Sequence, residues 1–164
     1  MSVVGRSAAI VLLGVGEVGA AELLPRLGAL LATPPAELVL CHVIDTGVRG
    51  GLDLAHGFGP HRAVGRHRAR IVADAERVEA AGILAEAMPS AARIATRAVT
   101  EVGEGEPGRA VCAVAAERGA DLVVVGARDH PDDRGSTGPH SVGHTARFVL
   151  DHAPCPVLLL RAAV

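Results

Sequence analysis

GADLVVVGARD (119–129), GHTARFVLDHA (143–153) and PCPVLLLR (154–161) decide how the chain is read. A β-branched run closing on Gly126 predicts a buried strand. The glycine-bearing segment after it predicts a loop, the amphipathic stretch stopped by Pro154 a helix, and Val157 to Leu160 another strand. Strand, loop, helix, strand is half of a doubly wound α/β nucleotide-binding domain.

The same alternation extends towards the N-terminus. Ile10 to Val15 is a continuous apolar run, as in a strand covered on both faces of a parallel sheet. Leu23, Leu27, Leu30 and Leu31 recur at helical spacing, and Pro25 among them means a kinked helix or one that begins later. Leu38 to Ile44 predicts the second strand. Gly47 to Gly65, rich in Gly, His and Arg, predicts a long exposed loop. Val64 to Met88 predicts a helix with Ile71, Val72, Ala75, Val78, Ala85 and Met88 inward and Pro89 as its stop. Ile94 to Val99 predicts the third strand. Gly105, Glu106 and Pro107 open a third helix with Val111, Val114 and Ala115 inward. Leu122 to Val125, Val142 to His152 and Val157 to Leu160 complete a five-stranded parallel open sheet with helices on both faces, a Rossmann-like fold.

Composition agrees with one domain spanning 1–164. With 49% apolar residues the chain can bury a full core, and Phe58 and Phe148 are its only aromatics, so that core is Val, Leu, Ile and Ala. A net charge of -2 and so few stacking side chains argue against nucleic acid as a partner. No window is apolar for long enough to span a membrane. The segment around Ala8 to Val15 can pass for a signal peptide, but a buried first strand fits better because a helical pattern continues directly from it. Cys41, Cys112 and Cys155, an odd number lying in predicted strands or helices, read as buried reduced thiols, so a cytoplasmic location is expected.

These segments resemble the universal stress protein family, in which "ADLIVVGSRG", a Gly-rich loop and "HAPCPVLVV" recur in that order. Cys41-His42-Val43-Ile44-Asp45 is similar to the family's second-strand ending, and Gly105-Glu106-Pro107 to the "G-x-P" before its third helix. The resemblance implies an adenine nucleotide alpha hydrolase-like fold. It also implies a stress-response regulatory role, ATP or AMP as ligand, Mg accompanying the nucleotide, and a homodimer, here through Val157, Leu158, Leu159 and Leu160. Four apolar residues at a sheet edge are in any case an aggregation hazard unless covered.

The family's nucleotide-binding branch carries G-x-x-G, nine residues, then G-[ST], with an Asp after the first strand. Here Gly126-Ala127-Arg128-Asp129 places Asp at the second glycine, the G-[ST] step falls on Gly143-His144 after a longer gap, and Gly16 stands where the Asp belongs. An Asp129 carboxylate would repel a triphosphate and block close backbone approach. Ser141, Gly143, His144 and Thr145 still offer hydroxyls and a helix start, and Arg128 is close in sequence. The resemblance thus implies phosphates at Gly126, Ser141, Gly143, His144 and Thr145 and adenine near Val43. The alternative is a vestigial site in a dimeric interaction module, with Ser141 only an N-cap.

Other chemistry finds little footing. His56, His61 and His67, and His140 with His144, lack a Cys or carboxylate at ligand spacing, so solvated loop histidines are the better reading. His152 is expected to cap the end of the fourth helix. There is no G-x-S-x-G elbow and no Walker motif, so no enzyme is expected and any ATP hydrolysis would be slow and incidental.

Overall fold

The computed structural model describes residues 10–16, 19–47, 62–127 and 142–161, with the backbone alone for 62–68. Five strands, β1 (Ile10–Gly14), β2 (Glu37–Asp45), β3 (Arg97–Gly105), β4 (Leu122–Ala127) and β5 (Val157–Arg161), form one sheet in the order β3-β2-β1-β4-β5. Every pairing is parallel. Four helices connect them: α1 (Ala20–Leu30), α2 (Arg62–Ala91), α3 (Pro107–Arg118) and α4 (His144–His152).

Period-two alternation sorts the strand side chains into two cores. Val11, Leu13, Leu38, Leu40 and Val124 face α1 and α2, whereas Leu12, Val39, Cys41, Val123 and Val125 face α3 and α4. The strands therefore read as unbroken apolar runs because both faces are covered, as expected for a central parallel sheet. Each fully buried Leu contributes about 1.5–3 kcal/mol.

Several expectations are corrected. The third strand begins at Arg97, not Ile94, and runs to Gly105. It is an edge strand with alternating exposure, and Ile94 instead lies in the preceding turn and packs on the core beside α1 and α2. In α2 the inward face is Ala80, Leu84, Ala87 and Ala91; Ile71, Val72 and Val78 are exposed on the other side. Small residues win this face because they let the helix settle closely on the sheet. Arg62 to Gly65, assigned to the loop, belong to α2. Pro89 does not stop the helix, and α1 both begins before Pro25 and continues past it. Both prolines lie on exposed faces, and so do Ala21 and Ala85, so the helix bonds that a proline nitrogen cannot donate are lost where the carbonyls are open to solvent. Cys155 sits in the turn before β5 rather than in a strand or helix.

The helix ends are built from local chemistry. Glu106 caps α3 with both carboxylate oxygens, accepting from Gly108 N at 3.0 Å and Arg109 N at 2.9 Å, and Gly119 (φ 61) closes it in the left-handed conformation. As expected, His152 caps the last turn of α4: its Nδ1 donates to the Phe148 carbonyl at 2.9 Å and its ring stacks on Phe148. At the N-terminal end of the sheet Arg97 and Arg118 bind Glu37, at 3.1 and 3.8 Å, and Arg118 also bonds Glu101. No described helix is long and apolar enough to cross a membrane.

Candidate functional site

A doubly wound sheet opens where neighbouring connections leave to opposite faces, at the C-terminal edge of the central strand. Here that strand is β1, flanked by β2 and β4, and a cleft of about 350 Å³ lies over their C-terminal ends. Its volume is near the lower limit for small-molecule sites, about 300–1,000 Å³.

The floor is set by the strand register. Val15 N donates to Cys41 O at 2.7 Å, and His42 Nδ1 donates to Val15 O at 2.9 Å, so the ends of β1 and β2 are tied together. A carbonyl can only accept, so the neutral imidazole keeps its proton on Nδ1 and has Nε2 as acceptor. Cys41 also lines the cleft, but burial, and then the Glu101 carboxylate, push its thiol up to about 12. It remains a neutral thiol and cannot serve as a nucleophile at neutral pH. Asp45 stands at the end of β2, with Oδ1 accepting from Gly47 N at 2.8 Å. A side chain at Gly16 would meet nothing within 4 Å, so the missing carboxylate there is not excluded by space.

The rim is made by two helix N-termini. Pro107 brings α3 to the cleft, and Val142 to Ala146 bring α4. The two ends differ. The α3 terminus is occupied by its own carboxylate, Glu106, whereas the cap residue of α4 is Gly143 (φ 91), which supplies no side-chain acceptor. Val142 to Ala146 line the cleft, so the positive end of the α4 dipole lies at its rim, a position that favours an anion.

Six residues singled out from the sequence, Gly16, Val43, Gly126, Gly143, His144 and Thr145, line this one cleft. Arg128, Asp129 and Ser141 lie outside the described residues, as do His56, His61 and His140; among the described residues no three His, Cys, Asp or Glu side chains gather as a metal set. Sequence reasoning did not name His42, Asp45 or Pro107 as cleft residues. Their signal was present in position: the first two follow the buried part of β2 and the third opens α3.

The sequence matches the model of the Universal stress protein family over residues 9–161. Among solved structures it is similar to the universal stress protein UspA from Lactobacillus plantarum, at 22% identity over 96% of this chain and 100% of that one, with a TM-score of 0.67. A universal stress protein in complex with cAMP shares 19% identity over 96% and 100%, TM-score 0.59. A universal stress protein family protein from Arabidopsis thaliana with AMP bound shares 14% identity over 95% and 93%, TM-score 0.58. No curated protein sequence matches significantly.

Proposed function

We infer that this chain, which belongs to the universal stress protein family, is a cytoplasmic, non-enzymatic stress-response regulator that binds an adenine nucleotide weakly in the cleft above β1. One observation carries the reading: a crevice at the strand ends joins an apolar wall at Val43 to a helix N-terminus whose glycine cap supplies no side-chain acceptor. Adenine packs near Val43, and the phosphate meets Gly126, Gly143, His144 and Thr145, with Ser141 and Arg128 near it in sequence. Two similar structures were solved with cAMP or AMP, which supports the ligand class. Weakness follows from Asp129 at a glycine position and from Gly16 in place of a carboxylate. Mg accompanies a triphosphate, since the cation offsets the Asp129 charge.

The regulator acts as a homodimer through β5. That strand is a sheet edge, and Val157, Leu158 and Leu159 on it are only half-buried, an apolar edge that a second copy would cover. The direct test of ligand binding exploits the absence of Trp and Tyr. Purified protein should show a 260 nm absorbance that leaves on denaturation, or take up ATP or AMP in equilibrium dialysis. Failure of both would favour the vestigial interaction module.

A further inference from the structure

We propose that His42 reads the sugar of the bound nucleotide, its Nε2 accepting a hydrogen bond from a ribose hydroxyl; the inference rests on the nucleotide reading above. The order of strands under the cleft sets where each part of a nucleotide falls. β2, β1 and β4 lie side by side, about 4.8 Å apart. With adenine near Val43 on β2 and phosphate by Gly126 on β4 and the start of α4, the sugar spans the end of β1, at Val15 and Gly16.

A ribose held there presents hydroxyl donors, which need acceptors once water is displaced. Gly16 has no side chain to offer one. The His42 ring reaches the same place from the neighbouring strand. Pairing of β1 with β2 ends at Gly14 and Cys41, and beyond it the ring bonds the Val15 carbonyl through Nδ1 at 2.9 Å, so a β2 side chain is tied to the end of β1. That bond keeps the proton on Nδ1 and leaves Nε2 with a lone pair. The ring is half-buried and lines the cleft, and among the described residues nothing donates to its Nε2. Asp45, the carboxylate of the described lining, stands three residues further along β2, is exposed and gives Oδ1 to Gly47 N. His144 and Thr145 lie at the phosphate end. His42 is therefore the acceptor placed at the sugar.

The test is calorimetric titration of the full chain with AMP and with 2′,3′-dideoxyAMP, which differs only in lacking both hydroxyls. The dideoxy nucleotide should bind about fivefold more weakly, the net effect of one neutral hydrogen bond. His42→Asn supplies an amide N–H where Nδ1 donates to the Val15 carbonyl and takes away the Nε2 acceptor. It should weaken AMP to the level of the dideoxy nucleotide and leave the latter unchanged, whereas a purely structural role would weaken both alike. Equal binding of the two by the wild type, a preference that survives in His42→Asn, or an equal loss of both overturns the role of His42 and leaves the nucleotide reading standing. Binding of neither by the wild type overturns the nucleotide reading itself, and this inference with it.

Discussion

Replacing Gly108 by Ala tests the contact that holds α4 against the cleft. Gly108 is buried at the second position of α3, where a Cβ would lie 2.7 Å from Phe148 Cβ and 2.8 Å from its Cγ and Cδ1. Carbon atoms rest at about 3.5–4.0 Å, so the shortfall is about 0.8 Å. Two of the crowded atoms are at the root of the Phe148 side chain and cannot rotate away. The helices must therefore separate. Overpacking of this kind costs about 1–3 kcal/mol, and exchanging Gly for Ala in a helix returns about 0.5–1 kcal/mol, so a net loss of about 1–2 kcal/mol is expected. Urea unfolding should show a lower midpoint at unchanged slope. In a Phe148→Ala background, which removes the ring and lets α4 shift, Gly108→Ala should lose much of its cost. A variant as stable as wild type, or an equal loss in both backgrounds, would refute the reasoning.

Three other outcomes are expected. Leu159→Asp, at the exposed edge of the sheet, should move the protein towards monomer in sedimentation equilibrium; an unchanged mass removes the support for pairing through β5. Asp129→Gly should strengthen ATP binding in calorimetry, and tight binding by the wild type would show that the longer β4–α4 connection rebuilds the cradle. Burial, followed by Glu101, raises the Cys41 thiol from 9.0 to about 12, so between those values the unfolded chain loses a proton that the native one keeps. Stability is then unaffected below about pH 9 and falls above it, by up to about 1.4 kcal/mol per pH unit from this group. Cys41→Ala should flatten that alkaline slope in urea titrations, and identical slopes would count against it.

The buried half of the fold was legible in the residues. Strands β1, β2 and β4 sit between two helical layers, so their apolar runs needed no alternation to be recognised. Where an element is only half covered, the signal was weaker. β3 lies at an edge and mixes Val99 and Val102, which fall on opposite faces, with Thr100, Glu101 and Glu104, so the apolar cluster beginning at Ile94 drew the expectation towards the preceding turn. α2 carries two apolar stripes, and nothing in their spacing says which one meets the sheet. Small Ala80, Ala87 and Ala91 around Leu84 take that face, and the larger Ile71 and Val78 are left outside. The prolines misled for a related reason: a proline's lost hydrogen bond costs least where the freed carbonyl is open to water, and Pro25 and Pro89 both face solvent.

The cleft was legible as a set of positions because topology, more than chemistry, brings them together. Val43, Gly126 and Gly143 are far apart in sequence, yet each lies at the end of a strand or caps a helix at the same edge of a parallel sheet, so correct elements suffice to gather them. What the spacing could not convey is the difference between the two helix starts. Glu106-Pro107 gives α3 its own anion, whereas α4 starts two residues later than the apolar pattern suggests, at Gly143 (φ 91), a cap residue with no side-chain oxygen. A Ser, Asp or Asn cap stabilises a helix by about 1 kcal/mol more than most residues, but its oxygen would take the very amides that an anion needs. The glycine costs only a few tenths of that stability and has no oxygen of its own to take them. The same trade explains why the fold reads clearly from sequence and the ligand does not. Apolar runs are repeated along every strand, while the binding end depends on the cap of a single short helix.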